Sequence, residues 1–310
     1  MDALIVGAGP AGSATAAHLA RTGFRVILVD RAAFPRDKAC SEYMSPEAVR
    51  LLDRLGVVPA LEAAGAVALE GTAVTAPLGA RLHGAFARAS HRPFRPTGLS
   101  VSRRVLDHAL AEAARRDGAD LQERTTVEAL LYDGGAVAGA VLRGPDGRRR
   151  PVSARLTVGA DGLRSLVARR LGRRTHGRPR RGAFVAHLDG VAAMGTSAEM
   201  HVGRDGYVGL NPIGGGRTNV ALVVPAAAAG AARGRAEGFF LERLADFPGV
   251  AARVAGATVA RRVLVTGPFA AWSGRVTADG AALVGDAADF FDPFTGEGIY
   301  CALRGAELLG

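Results

Sequence analysis

The sequence predicts an α/β fold: a parallel-sheet domain, discontinuous along the chain, with an inserted lobe built on an antiparallel sheet. Three observations predict it. Residues 1–30 read as strand, glycine turn, helix and second strand closing on an acid. Residues 184–224 fall into short β-like runs separated by glycine turns, the pattern of a meander. Ala282–Val284 then repeats the short apolar run of the opening strand, so the chain is expected to return to the first sheet. The expected boundaries are 1–75, 98–180 and 266–310 for the first domain, with 76–97 and 181–265 for the inserted one.

The opening unit is specific. Leu4, Ile5 and Val6 form an apolar strand, and Gly7, Gly9 and Gly12, with Pro10 and Ala11 among them, give G-x-G-x-x-G where a helix must start. Gly7 allows a tight turn, Gly9 lets backbone approach a pyrophosphate, and Gly12 lets the helix pack closely on the sheet. The helix N-terminus offers unpaired N–H groups and a positive dipole end to phosphates. Asp30, followed by Arg31, ends the second strand, where a carboxylate accepts from both hydroxyls of an adenosine ribose and repels a 2′-phosphate.

Further elements follow in order. Ser45 reads as an N-cap with Pro46 at the first helical position, and Val49, Leu52 and Leu55 keep helical spacing up to Gly56. Ser102–Asp117 is a second helix with Leu106, Leu110 and Ala113 on one stripe and Gly118 past its end. A hairpin turns at Asp133-Gly134-Gly135, and Leu156–Gly159 is a buried strand. In the inserted lobe, strands are expected at 184–188, 207–210, 218–224 and 259–265, with a helix near 239–244.

Composition narrows the possibilities. A chain of 310 residues that is 48% hydrophobic can bury a large core. Cys40 and Cys301 lie far apart and no leader precedes the first strand, so no disulfide framework is expected, and the cytoplasm is the expected compartment. The longest apolar run, Val220–Ala232, contains Pro225 and Gly230 and is too short to span a bilayer. The net charge of +10 is almost all arginine, Lys38 being the only lysine, and no nucleic-acid-binding motif accompanies it, so nucleic acid is not an expected partner. The densest run, Arg169–Arg181, reads as a solvated crossover; the alternative makes it a docking surface for nicotinamide nucleotide phosphates or for a membrane.

Two more signatures sharpen the ligand. Gly159-Ala160-Asp161-Gly162, with Ser165, stands at a strand end, and Gly285-Asp286-Ala287-Ala288 runs on through Asp292-Pro293 to Thr295-Gly296-Glu297-Gly298-Ile299. Three such motifs in this order resemble the FAD-dependent oxidoreductases of the aromatic hydroxylase and geranylgeranyl reductase superfamily, over nearly the whole chain. The resemblance implies a Rossmann-like FAD-binding domain with an inserted substrate domain. It places Gly7, Gly9, Pro10, Ala11, Gly12, Asp30 and Arg31 at the adenosine end of FAD and Asp161 near the pyrophosphate. Gly285 and Asp286 fall at the ribityl chain, Pro293, Gly296, Gly298 and Ile299 near the ring, and Arg103 against the cofactor. Physics supports the last motif independently: a helix beginning near Ile299 turns its positive end toward the anionic edge of a reduced flavin.

Asp292-Pro293, the Thr295–Ile299 segment and the Lys38–Cys40 pair resemble the geranylgeranyl reductase branch; the hydroxylases commonly carry a histidine where Asp289 stands. Ser41 and Glu42 depart from that branch, which usually carries glycines there. The W-x-W-x-I-P segment of flavin halogenases is matched at Tyr207–Pro212 only by the proline. Cys40, Tyr207 and Asn211 are candidate substrate-pocket residues. Arg36 and Lys38 read equally well as solvated loop charges and as pocket residues. His83, His91, His187 and His201 read as structural, Trp272 as packing, and no acid, base or metal ligand is assigned.

The implied activity is reduction of a C=C bond in a lipophilic isoprenoid or polyketide-like molecule, with NAD(P)H reducing the FAD. The alternatives are an FAD-dependent monooxygenase and a non-catalytic or truncated FAD-binding fold. The expected partner is a small lipophilic substrate, with peripheral membrane contact as an open alternative and the oligomeric state left open. The superfamily usually continues beyond the third motif, so the expectation is either a C-terminal segment past Gly310 or a short variant of the family.

Overall fold

Ala3–Val6 and Val26–Val29 are buried at every position, the mark of strands covered on both faces. In the computed structural model, which describes residues 1–310 apart from 90, 91, 173, 179 and 233, they pair in parallel at the centre of a six-stranded sheet. Its order is Thr277–Ala278, Ala281–Leu283, Leu156–Gly159, Ala3–Val6, Val26–Val29, Asp120–Gln122, and only the first of these pairs antiparallel. Ala281–Leu283 thus rejoins the sheet beside Leu156–Gly159, as its sequence suggests.

Alternation sends Ile5 and Leu28 to one face, where they meet the helices Pro10–Arg21, Pro46–Arg54, Arg103–Arg116 and Gly298–Leu309. Leu4, Val6, Ile27 and Val29 face the other way, onto the antiparallel strands Thr126–Asp133, Ala136–Arg143 and Arg149–Ser153 and the short helix Leu166–Arg170. Ser45 caps its helix as expected, its hydroxyl accepting from the Ala48 N–H at 3.4 Å.

The inserted lobe is a seven-stranded sheet ordered Thr258–Thr266, Arg181–Asp189, Arg217–Pro225, Tyr207–Gly214, Ser197–Val202, Gly71–Thr75, Arg81–Ala85. Its outer face buries Phe184, Leu210 and Leu222 under Phe240 and Val250 of two short helices. Its inner face carries Ala183, Val185, Tyr207 and Val223. Gly71–Thr75, expected in the first domain, belongs to this sheet, because it pairs in parallel with Ser197–His201. That partner lies far along the chain, so no local pattern marks it. The helix Val58–Ala63 and the small sheet of Tyr43–Met44, Gly98–Ser100 and Val67–Leu69 also go beyond the sequence reading.

Among the described residues no helix is long and apolar enough to cross a membrane. Among the described residues no cluster of His, Cys, Asp or Glu has the arrangement of a metal site. Cys40 and Cys301 are free thiols.

One ion cluster sets an acid limit on the lobe. The buried Glu199 carboxylate lies 2.8 Å from Arg253 and 3.2 Å from His201. Burial alone would raise its pKa, but the hydrogen bonds from His201 and Arg253 outweigh it and hold the group at about 2. A folded-state pKa below the ordinary 4.5 means that the contribution is complete above that pH and is lost as pH falls toward about 2. Glu199→Gln is therefore expected to flatten the acid limb of stability in that window, read as melting temperature against pH. An unchanged limb would place the acid sensitivity elsewhere.

Candidate functional site

The three glycines of the first motif do different work. Gly7 has φ +101°, and a Cβ there would lie 2.6 Å from the Ala160 carbonyl oxygen. A Cβ at Gly12 would lie 1.8 Å from the Gly7 oxygen. The protein itself requires both. A Cβ at Gly9 would have as its nearest neighbours only Arg36 Nη2 at 3.8 Å and Arg103 Nη2 at 3.9 Å. Gly9 therefore faces open, cationic space, and Pro10–Arg21 begins there with no side-chain cap on its N–H groups. A cradle that a side chain would fill, ringed by guanidinium, fits a pyrophosphate.

Asp30 fastens this loop. Its Oδ2 accepts from the Ala8 N–H and its Oδ1 from the Ala32 N–H, both at 2.8 Å. The carboxylate is 8% exposed, whereas Arg31 points to solvent. Arg103, first residue of its helix, forms a two-pronged bond with Asp107 one turn on, at 2.7 and 2.9 Å. Asp107 is fully buried and also lies 2.9 Å from Arg36 Nη1. Burial would lower the pKa of Arg103, but the Asp107 charge more than reverses this and holds the guanidinium charged. Arg36 is thus a site residue and not a solvated loop charge.

Lys38 is reached by solvent yet crowded by protein, which is the signature of a cleft wall. Burial lowers its pKa, and Arg103 and Arg36 lower it further. Its Nζ lies 3.7 Å from where a Cβ of Gly162 would stand, so the second motif borders the same cleft. Asp161 turns one oxygen inward, accepting from the Leu166 N–H at 2.6 Å, while Oδ1 is buried without a partner. Its carboxylate therefore caps the helix Leu166–Arg170, and its backbone abuts Gly7.

The third motif packs directly on the first. Gly285 has φ +59°, and a Cβ there would come within 2.8 Å of Ala11 Cβ. The Asp286 carboxylate makes no hydrogen bond among the described residues. Burial raises its pKa, against the pull of Lys38, Arg103 and Arg174. A free acceptor in a cationic cleft suits a ribityl hydroxyl.

Arg169, Arg170, Arg178 and Arg180 are exposed, as a solvated crossover requires, and Arg174 is an exception. It begins the strand Arg174–His176 and donates to the Leu163 and Ala287 carbonyls at 2.8 and 3.0 Å, tying the second motif to the third. Residues 173 and 179 of that run lie outside the described residues. Trp272, 37% exposed, lies over Gly177. The helix Gly298–Leu309 starts with no side-chain cap; the Ile299 side chain is core, which leaves its N–H as the group able to meet a ligand. Pro293 opens the tight turn before it.

Between Gly296 and the lobe's inner face lies a cavity of about 70 Å³. Its lining includes Ser41, Tyr43, Thr72, Met200, Gly209, Asn211, Asn219 and Phe294. Of the three expected pocket residues, only Asn211 lines it. Tyr207 stands behind the wall, donating to Asp292 Oδ1 at 2.6 Å and meeting Phe294 edge-on at 5.2 Å between ring centres. Cys40 Sγ accepts from the Glu42 N–H at 3.3 Å. A larger groove of about 570 Å³, lined by Tyr132, Arg170, Arg275 and Asp279, shares no residue with the three motifs.

Glu42 is the residue the sequence reading underrated. Its φ is +62°, the left-handed conformation that glycine adopts at least cost, and its side chain is wholly buried. Its carboxylate accepts from the Arg103 N–H at 2.8 Å and from Asn219 Nδ2 at 2.8 Å, and lies 2.7 Å from His187 Nε2. It therefore fastens the start of the Arg103 helix to two strands of the lobe. His187 is committed to Glu42, His201 to Glu199 and His83 to Ser197; His91 lies outside the described residues.

A family model described as FAD binding domain matches residues 1–310. The chain belongs to that family. It is thereby a member of a family of FAD-dependent oxidoreductases, and its cofactor is FAD. It is 31% identical over 319 residues to a digeranylgeranylglycerophospholipid reductase 2 of Methanothermobacter thermautotrophicus, covering 100% of this chain and 76% of that protein. It is 31% identical to a menaquinone reductase of Mycolicibacterium smegmatis, covering 99% and 75%. A third relative, conditioned medium factor receptor 1 of Dictyostelium discoideum, is 31% identical over 99% of this chain, which spans 62% of that protein's length. Among solved structures, a myxobacterial chondrochloren halogenase superposes with a TM-score of 0.93 at 26% identity, over 99% of this chain and 73% of that one.

Proposed function

We propose that the protein is a flavin-dependent reductase that takes reducing equivalents from NAD(P)H and saturates a carbon–carbon double bond in a lipophilic molecule, isoprenoid or polyketide-like. Two relatives above 30% identity carry reductase names. The observation that carries the reaction type is the cavity wall. It contains no histidine or lysine, and its one carboxylate, Glu199, is tied to Arg253 and His201, so nothing there is free to deprotonate a phenol for hydroxylation.

Bound FAD would supply the hydride relay between nicotinamide and substrate. The chain's own residues bind and orient. Arg36 and Arg103 neutralise phosphate charge beside Gly9, and Asp286 accepts from a hydroxyl. The uncapped N-terminus at Gly298 favours negative charge next to Gly296. Tyr43 lines the cavity with its phenol pushed up to about 12, by burial first and the Glu297 charge second, so its hydroxyl stays protonated at neutral pH.

The test is anaerobic turnover with NADH or NADPH and candidate polyprenyl or polyketide lipids. A product heavier by two hydrogens is expected. A product that gains one oxygen atom, and forms only in air, would replace this reading with the monooxygenase one.

Gly209 gives a test of where the substrate sits. A Cβ there would find its nearest atoms at 3.9 and 4.0 Å, so the backbone accepts a side chain that grows into the cavity. Gly209→Leu is expected to retain FAD and raise KM by at least about tenfold. Unchanged kinetics would move the substrate to another face.

A further inference from the structure

Asn211 and Asn219 stand directly opposite each other on neighbouring strands of the lobe, 3% and 1% exposed, and both line the cavity beside Gly296. Each spends its amide nitrogen on the loop that carries Cys40, Ser41 and Glu42. Asn211 Nδ2 donates to the Ser41 carbonyl at 3.1 Å and to Ser100 Oγ at 2.6 Å. Asn219 Nδ2 donates to the Cys40 carbonyl and to Glu42 Oε2, both at 2.8 Å. Flipping either amide would press its oxygen against carbonyl oxygens or a carboxylate, so the orientation of both is fixed by their partners.

The two Oδ1 atoms are therefore the free ends, and both are buried without a hydrogen-bond partner. A buried acceptor left unpaired is rare and costly, and two on facing residues of one cavity wall are rarer still. Beside Met200, Gly209 and Phe294 the wall carries the polar Ser41, Tyr43, Thr72 and Thr295 and the ion-paired Glu199, and none of these bonds either Oδ1. A plain hydrocarbon chain would leave both oxygens unsatisfied. A ligand carrying an O–H or N–H would satisfy them.

We propose that Asn211 and Asn219 form a donor-reading subsite of the substrate cavity, selecting a molecule with a hydroxyl on or beside its unsaturated system over an unoxygenated polyisoprenoid. This deepens the reductase reading, since it assumes that the same cavity holds the substrate. Among the two substrate classes left open by the sequence, it favours the oxygenated, polyketide-like one.

The experiment compares phenol with its methyl ether, anisole, which keeps the ring and oxygen and loses the donor. Both are titrated calorimetrically into FAD-loaded wild-type protein, into Asn211→Ala, and into Gly209→Leu as a blocked cavity. Phenol is expected to bind about tenfold more tightly than anisole in the wild type. That preference should shrink toward parity in Asn211→Ala and vanish with binding in Gly209→Leu. Equal binding of the two probes by wild type, or binding of neither, overturns the subsite; so does a preference that survives Asn211→Ala. Should Asn211→Ala fail to fold, the wild-type ratio and its loss in Gly209→Leu still decide. A phenol preference combined with failure of anaerobic reduction would sink the reaction assignment and leave the subsite standing.

Discussion

Gly9→Val is expected to give a folded protein that purifies colourless and stays colourless when FAD is added. The reason lies in the contrast among three glycines of one motif. Gly7 and Gly12 are required by the polypeptide itself, because a Cβ at either would run into backbone oxygen. Gly9 is not, since the nearest protein atoms to its Cβ position are guanidinium nitrogens at 3.8 and 3.9 Å. A valine there projects into the space between Arg36, Arg103 and the start of the first helix, where the pyrophosphate must pass. The apo protein should melt within a degree or two of wild type, while FAD affinity falls by at least about a hundredfold, ~3 kcal/mol. Wild-type FAD retention in this variant would move the pyrophosphate off the loop. A variant that does not fold would show that the open space at Gly9 is structural after all.

What could be read in the sequence was whatever is local. The Gly7–Gly12 loop, the Ser45 and Ser102 helix starts and the hairpin at Gly134 are fixed by neighbours a few residues away, and they stand where the spacing put them. The strand Ala281–Leu283 was legible because its apolar run copies that of the first strand. The parts that escaped are those made by distant convergence. Gly71–Thr75 finds its partner at Ser197–His201, and Glu42 reaches His187 across 145 positions.

Two signals were nonetheless present. Arg103 and Asp107 are spaced i, i+4 at a helix start, which marks an ion pair even before its burial is known. Glu42 stands where the resembling reductases carry glycine, and its φ of +62° shows that the loop keeps the glycine-like turn. A charged residue in such a place needs a compensating partner, and Arg103, His187 and Asn219 supply it.

Asp107→Ala should be the most destabilising of these changes, and its defect should be partly cured by a phosphate ligand. Asp107 is the shared counter-ion of Arg103 and Arg36, whose side chains are only 9% and 17% exposed. Removing it leaves two guanidiniums close together in a poorly solvated cleft, a loss of about 3–5 kcal/mol for breaking a buried ion pair. In a chain of this size that corresponds to a fall in melting temperature on the order of 10 °C. The same two cations face the open space at Gly9, so a pyrophosphate group entering there returns negative charge to them. Binding to the native state raises stability by mass action, and the gain grows as the uncompensated charge makes the anion more welcome. Saturating FAD, or inorganic pyrophosphate as a probe without the flavin, should therefore raise the melting temperature of Asp107→Ala by more than it raises that of wild type. Equal shifts in the two proteins would mean that the arginines do not face the phosphates. A melting temperature unchanged by Asp107→Ala would show that the buried cluster does not depend on this carboxylate.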